Sequence, residues 1–129
     1  MDFNNKSLRI LLCDDNDNFR KLLCEYVNTI PGAEVVGEAF DGIDVIEKTE
    51  QLDPDLVLMD LSMPNQSGLD ATKTIKDKWP SKAVFILTLY EDSVYKELAD
   101  EFNADGFIAK SSIKTQLPAL IQSRLQAKN

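Results

Sequence analysis

Four apolar runs of this sequence end in, or are followed by, polar side chains with complementary chemistry. In chain order these are Asp14 with Asp15, Asp60, Thr88 and Lys110. Three carboxylates in one place would raise one another's pKa values unless a cation neutralised them. An all-oxygen site with few protein ligands suits Mg²⁺, which retains several waters and often shares a phosphate. A lysine and a hydroxyl beside that cation could bind a phosphoryl group, which a carboxylate could accept as an aspartyl phosphate.

Each of these residues also has a simpler interpretation when it is taken alone. An Asp-Asp pair after a strand commonly begins a turn or caps a helix. A threonine that ends a strand fits ordinary β-propensity, and a lysine there is usually a solvated charge. The chemistry therefore depends on whether the fold brings these side chains together.

The elements that would position them alternate between strand and helix. Leu56–Met59 is an unbroken apolar run, which predicts a strand covered on both faces at the centre of a parallel sheet. Four other segments predict the remaining strands: Leu8–Cys13, Glu34–Ala39, Ala83–Thr88 and Gly106–Ala109. Five strand–helix alternations predict an α/β fold with a five-stranded parallel sheet, right-handed crossovers and helices on both faces. Parallel strands end at one edge, where open α/β sheets bind ligands, so the polar residues should converge there.

The helical segments are read from apolar spacing and from capping residues. The residues expected to face the core are Phe19, Leu22, Leu23, Tyr26, Val27 and Ile30 in the first helix, and Ile43, Ile46 and Leu52 in the second. Asn16 or Asp17 could cap the first helix, and Ser67 or Asn65 the third. Because proline inside a helix removes a hydrogen bond, we expect the last helix to start near Thr115, with Pro118 in its first turn, or to bend there.

Composition restricts the function further. The 129 residues carry a formal charge of −8, which argues against a nucleic-acid surface in this segment. The absence of histidine excludes a Ser-His-Asp triad, a His-ligated zinc site and a phosphohistidine carrier. Cys13 and Cys24 lie in apolar segments and are expected to be free, buried thiols. No apolar run is long enough to span a bilayer and no leader is apparent, so we expect a cytoplasmic protein without a membrane partner.

The sequence resembles the receiver domain of bacterial two-component response regulators, over residues of about 8–125. The segments that carry the resemblance are Leu11–Asp15, Val57–Pro64, Ser67–Leu69, Ile86–Thr88 and Ala104–Lys110. The resemblance implies a single receiver domain over residues 1–129. It also implies a flavodoxin-like sheet, with strand order 2-1-3-4-5. The segment from Leu87 to Asp92, with Tyr95, further resembles receivers of the NarL/LuxR type, which precede a helix-turn-helix output domain.

The resemblance also implies the role of each site residue. Asp60 would accept the phosphoryl group of a sensor histidine kinase or phosphotransfer protein. Asp14, Asp15, Asp60 and the backbone carbonyl of Ser62 would bind Mg²⁺. Lys110 would pair with the phosphoryl oxygens, while Thr88 and Phe107 would switch conformation. The switched surface would be the fourth helix, fifth strand and fifth helix, used for a homodimer or a downstream protein.

Three positions depart from the usual receiver pattern. Phe107 stands where tyrosine is common and has no hydroxyl to donate. Lys110-Ser111 replaces the frequent Lys-Pro, so no proline favours a cis bond there. Asn103-Ala104 replaces the usual Gly-Ala. These departures affect the details of the switch rather than the acceptor chemistry.

Several alternatives remain open from the sequence. The domain could be an interaction module that no longer uses phosphorylation, or an aspartyl-phosphate phosphatase. The Asp14-Asp15-Asn16 segment lacks that phosphatase pattern, Asp-x-Asp, and no substrate cap is present. No output domain is seen, so the chain is expected to be an excised receiver of a transcription factor or a stand-alone regulator. We expect it not to be an enzyme, but a phospho-acceptor whose aspartyl phosphate is hydrolysed in a self-limiting way.

Overall fold

A computed structural model of the chain describes residues 7–61, 67–89, 97 and 100–128. Five parallel strands form one sheet in the order β2-β1-β3-β4-β5, which confirms the predicted fold. The strands are β1 (Leu8–Cys13), β2 (Ala33–Ala39), β3 (Leu56–Asp60), β4 (Ala83–Thr88) and β5 (Gly106–Ala109). The helices in the described ranges are α1 (Asp17–Val27), α2 (Gly42–Leu52), α3 (Gly68–Lys78) and α4 (Ile113–Ala127).

The central strand β3 is buried along its whole length, as the unbroken apolar run predicted. Its alternating side chains belong to two clusters on opposite faces of the sheet, with Leu58 in one cluster and Met59 in the other. The cluster around Leu58 includes buried residues of α1 and α4, and the cluster around Met59 includes buried residues of α2 and α3. Two pairs of helices therefore clamp the sheet and hold its carboxyl edge in a fixed register.

Polar side chains cap the starts of α1 and α3. The side chain of Asn16 accepts a hydrogen bond from the backbone N–H of Phe19, which selects Asn16 over Asp17 as the cap of α1. Ser67 caps α3 through the N–H of Asp70, while the alternative Asn65 lies outside the described residues. Each cap satisfies an amide that has no partner within the helix.

Two residues expected to face the core are exposed instead. Leu22 in α1 is 65% exposed and Ile43 in α2 is 52% exposed. Val45 and Thr49 are the buried side chains of α2, and the hydroxyl of Thr49 donates to the carbonyl of Val45. The prediction was wrong because it scored apolar residues only, whereas a threonine that bonds its own helix backbone can occupy a buried position.

The start of α4 also differs from the expectation. The helix begins at Ile113 rather than near Thr115, so Pro118 lies inside the helix and not in its first turn. Proline lacks the N–H that would bond the carbonyl of Lys114. The hydroxyl of Tyr26 in α1 donates to that carbonyl at 3.4 Å. A tertiary hydrogen bond from Tyr26 thus replaces the helical hydrogen bond that Pro118 cannot donate to the Lys114 carbonyl.

The chain enters β5 through a turn whose geometry explains one departure from the receiver pattern. Asn103 has a φ of 68°, in the left-handed region that glycine and asparagine tolerate best. The carboxylate of Asp105 then accepts from the N–H of Val84 at 2.7 Å and from Lys76 at 3.0 Å, which ties the start of β5 to β4 and α3. Most of the fourth helix expected between β4 and β5 lies outside the described residues.

Candidate functional site

The carboxyl edge of the sheet brings the predicted acidic residues together. Asp14 follows β1 and is buried, Asp60 ends β3 and is nearly buried, and Asp15 is exposed. One carboxylate oxygen from each of the three lies within 4.8 Å of the other two. The cluster is therefore anchored in the fold on one side and open to solvent on the other.

Lys110 supplies the positive charge nearest to this cluster. Its Nζ lies 2.9 Å from Oδ2 of Asp14 and 3.2 Å from Oδ1 of Asp60, so the ammonium bridges the two buried carboxylates. The same Nζ lies 4.1 Å from the centroid of the Phe19 ring. Lys110 is held at the end of β5 because it begins a short 3₁₀ helix over Lys110–Ser112 that leads into α4.

The pKa values of Asp60 and Lys110 are shifted by burial and by the neighbouring charges. The pKa of Asp60 is raised to about 6, mainly by burial and then by the charge of Asp14, while Lys110 opposes the rise. For Lys110, burial lowers the pKa, but the hydrogen bond to Asp14 and the charge of Asp60 outweigh burial and the net shift is upward. Asp60 is consequently ionised at neutral pH at a cost in free energy, which is the state a nucleophile requires.

The backbone of Asp14 is fixed by the start of α1 and by its neighbouring strand. Its N–H donates to the carbonyl of Ala39 at 3.1 Å, and its own carbonyl accepts from Arg20 at 2.6 Å. Arg20 also pairs with Asp17 and Glu38, so one guanidinium joins α1 to the end of β2. The Asp14 carboxylate accepts from the N–H of Asn16 at 2.8 Å, which leaves its other oxygen for Lys110.

The end of β3 is held by close packing against the start of α3. Leu61 donates its N–H to the carbonyl of Leu87, and Gly68 donates its N–H to the carbonyl of Leu61. A Cβ placed on Gly68 would lie 2.0 Å from the carbonyl oxygen of Asp60. Only glycine can approach the acceptor strand this closely, so Gly68 sets the distance between α3 and Asp60.

The other predicted site residues take distinct places. Thr88 is 2% exposed at the end of β4 and is paired in register with Ala109, the residue before Lys110. Phe107 in β5 is half-buried and packs against the cluster that contains Met59. Ser62, predicted to offer its carbonyl to a metal, lies outside the described residues. Cys13 is buried, and burial raises the pKa of its thiol, so it is inert core as expected.

Sequence reasoning missed two residues that shape the site. Phe19 was assigned only to the core, and Arg20 received no role. The available signal was their position one turn after the Asn16 cap, where α1 packs back over the strand that carries Asp14. Neither the ring–ammonium contact nor the bonds of Arg20 to Glu38 and to the Asp14 carbonyl are encoded in local periodicity, because these partners lie outside α1.

Hard oxygen donors of this kind suit a magnesium ion. Asp14, Asp15 and Asp60 offer only carboxylate oxygens, and the clustered negative charge favours a divalent cation. The exposed side of the cluster leaves room for the water ligands that Mg²⁺ retains. The residues present therefore fit the Mg²⁺ that the sequence pattern predicted.

Comparison with known proteins identifies relatives over most of the chain. A sequence model described as the response regulator receiver domain matches residues 10–122. The protein-glutamate methylesterase/protein-glutamine glutaminase of Pyrococcus abyssi is 37% identical over 113 residues, which are 87% of this chain and 31% of that protein. The response regulator protein VraR of Staphylococcus saprophyticus is 34% identical over 117 residues, which are 89% of this chain and 55% of that protein.

A solved structure extends the likeness to the fold. The crystal structure of a LuxR-family two-component response regulator from Aurantimonas sp. superposes with a TM-score of 0.87 at 30% identity, covering 95% of this chain and 87% of that one. The predicted NarL/LuxR resemblance is thereby confirmed. The chain spans about a third to a half of the length of the two curated relatives described above.

The comparisons correct the expectation that this protein is not an enzyme. The Pyrococcus abyssi relative is itself named as an enzyme, and it shares the receiver portion with this chain. The expectation was wrong because it was drawn from receiver residues, which enzymes and transcriptional regulators share. None of the helices in the described ranges combines the length and apolar character that crossing a bilayer requires.

Proposed function

Because the chain belongs to the response regulator receiver domain family, we propose that Asp60 accepts a phosphoryl group in two-component signal transduction. One observation carries the proposal. The Asp60 carboxylate ends the central strand within 3.2 Å of the Lys110 ammonium, and the carboxylates of Asp14 and Asp15 complete an acidic cluster around it. A reactive carboxylate, a metal-binding pair and a fixed cation are thus gathered at the open edge of the sheet.

We assign the metal role to Asp14, Asp15 and Asp60, with the carbonyl of Ser62 as a further proposed ligand. Bound Mg²⁺ would supply positive charge that relieves the repulsion among the carboxylates and attracts phosphoryl oxygens. Asp14 is positioned for this role because Arg20 binds its backbone carbonyl and the N–H of Asn16 binds its Oδ1, while its Oδ2 contacts Lys110.

The transfer itself needs little from the protein beyond position and charge. An oxygen of ionised Asp60 attacks the phosphorus of a phosphohistidine on a sensor kinase or phosphotransfer protein. The new P–O bond forms as the P–N bond breaks, and the departing imidazole retains the electron pair and takes a proton from solvent. Lys110 moves its contact from Asp60 to a phosphoryl oxygen, where its charge offsets the negative charge that the group brings.

We propose that the conformational response begins at Thr88. Thr88 ends β4 in register with Ala109, the residue before Lys110, and its hydroxyl would reorient to donate to a phosphoryl oxygen on Asp60. Phosphorylation would then favour that arrangement through its added charge, and half-buried Phe107 would repack with it. Of the surface predicted to switch, the structure describes β5 and α4, which is the predicted fifth helix. The predicted fourth helix, between β4 and β5, lies mainly outside the described residues.

Receiver domains of response regulators interact with histidine kinases and with output domains. For this protein we propose a sensor histidine kinase or phosphotransfer protein as donor, and control of transcription as output. The LuxR-family relative supports that output. A phosphorylation-dependent homodimer or a downstream protein would use the switched surface. One receiver domain over residues of about 8–125, and a cytoplasmic location, remain predictions.

Intact-mass spectrometry after incubation with Mg²⁺ and acetyl phosphate tests the acceptor. We expect one labile phosphoryl adduct on the wild type and none on Asp60→Asn. Asp55→Asn is a matched control that should still accept the group, because Asp55 precedes β3 at the end opposite Asp60. No adduct from acetyl phosphate or from any phosphohistidine donor, with the fold intact, would refute the proposal and favour a phosphorylation-independent interaction module.

A further inference from the structure

The contact between Phe19 and Lys110 is not explained by core packing alone. Phe19 lies in the first turn of α1, is half-buried, and has its backbone N–H fixed by the Asn16 cap. The Lys110 ammonium lies 4.1 Å from the centre of its ring, well inside the range over which an aromatic face attracts a cation. One charged group therefore has three partners, namely the two carboxylates and the ring.

We propose that Phe19 is a positioning residue for phosphoryl transfer, which acts by holding the Lys110 ammonium beside Asp60. This inference rests on the proposed function, since it gives Phe19 a part in the reaction of the same site. The effect of Phe19 reaches the reaction only through Lys110.

An aromatic partner suits this task for a physical reason. A lysine has a long, flexible side chain, and a third carboxylate would hold it so strongly that it could not exchange Asp60 for a phosphoryl oxygen. The ring offers attraction without a hydrogen-bond acceptor, so it restricts the ammonium to the site but leaves its N–H groups free to change partner. It also shields one side of the ammonium from water, which strengthens the remaining charge interactions.

Because the Phe19 ring lies at the edge of the core, its contact with Lys110 can be tested separately from its packing. Phe19 packs against the edge of the cluster that contains Leu58, and it lines an open groove of about 310 Å³ between α1 and the start of α4. The groove is also bordered by Leu22, Tyr26 and Ile113. A side chain at the edge of the core tolerates a change of shape better than one at its centre, so conservative substitutions here should leave the fold intact.

The test compares Phe19→Leu, which removes the ring but keeps an apolar side chain, with Phe19→Tyr, which keeps the ring. The rate of adduct formation on Asp60 is measured across acetyl phosphate concentrations with Mg²⁺ present. We expect Phe19→Leu to lower the rate at saturating donor by about 3- to 30-fold, the range of a partly desolvated cation–π contact. Phe19→Tyr should stay within about twofold of the wild type.

A second readout reports on the contact without phosphorylation. The ring should shift the proton resonances of the Lys110 ε-methylene upfield, and Phe19→Leu should abolish this shift whereas Phe19→Tyr retains it. An unchanged Lys110 resonance in Phe19→Leu, or an equal loss of rate in both variants, would overturn the inference. A wild type that forms no adduct would refute the proposed function instead, and the Lys110 resonance would still decide whether Phe19 holds the ammonium.

Discussion

Replacing Asp60 by asparagine should stabilise the metal-free domain at neutral pH. The carboxyl is held beside Asp14 in a nearly buried position, and its pKa rises from 3.8 to about 6. Keeping it ionised at neutral pH therefore costs about 3 kcal/mol of folding free energy. Because the acidic edge is open to solvent, we discount this to about 1–2 kcal/mol. Asparagine removes the charge and still offers Lys110 an oxygen.

The pH dependence of this gain follows from linkage. Asp60 has a folded-state pKa of about 6 and an unfolded-state value near 3.8, so the folded protein binds the proton more tightly. The stability of the wild type should fall, relative to Asp60→Asn, as the pH rises from about 4 to about 6, and the difference should be constant above that range. Below about pH 4 both side chains are neutral and the two proteins should have nearly equal stability.

Urea unfolding in the presence of a chelator, repeated from acid to neutral pH, measures this difference directly. Asp55→Asn is the matched control, because Asp55 precedes the same strand but accepts from the N–H of Arg9 and from Lys128, each at 2.8 Å. Losing that charge should weaken both bonds and destabilise the domain by about 1 kcal/mol. The two aspartates should thus respond with opposite signs at neutral pH.

Magnesium should reduce the advantage of the substitution. At ten times its dissociation constant, the ion stabilises the wild type by about 1.4 kcal/mol, and the neutral variant, which binds it more weakly, gains less. If Asp60→Asn proved less stable than the wild type at neutral pH without metal, or if the difference did not depend on pH, the interpretation of a strained acidic cluster would be wrong.

Substitutions at three further positions test the geometry around the acceptor and in the turn before β5. Thr88→Ala should accept phosphate from acetyl phosphate at a rate within about threefold of the wild type, because the hydroxyl responds after transfer, but the amide shift changes in β5 and α4 should disappear; a normal response would place the coupling elsewhere. Gly68→Ala should cost about 1–3 kcal/mol in urea unfolding and slow adduct formation, since the new Cβ would meet the Asp60 carbonyl; an unchanged stability would contradict the close approach. Asn103→Ala should cost about 1 kcal/mol and Asn103→Gly almost nothing, because of the positive φ at this position; equal losses would argue against backbone strain.

The positions and the parallel direction of the strands were predictable because the information is local, whereas the strand order came only from the family resemblance. An unbroken apolar run such as Leu56–Met59 has few structural interpretations, and alternation with helices leaves a parallel sheet as the simplest arrangement. The helix faces were less predictable. Leu22 and Ile43 are apolar yet exposed, and Thr49 is polar yet buried, so a stripe counted from hydropathy alone selects the wrong side chains.

The charged members of the site could also be predicted from the sequence, because each of them ends a strand or directly follows one. Asp14, Asp60 and Lys110 needed only the rule that parallel strands finish at one edge, and the observed distances agree with it. The hydrogen bond to the Lys114 carbonyl, which Pro118 leaves without its helical donor, could not be predicted in this way. Its partner Tyr26 lies on another helix, and only tertiary packing brings the two together.

The same limit explains why the environment of Lys110 could not be read from the sequence. A lysine after a short strand is compatible with a solvated charge, and nothing near it in the chain indicates an aromatic partner. Its reactivity depends on Phe19, ninety-one positions earlier, because two strand-to-helix turns deliver both residues to one edge. If the ring holds the ammonium as proposed, the reactive centre extends beyond the strand ends to the first turn of α1, so substitutions there should alter transfer without touching any group that binds the phosphoryl oxygens.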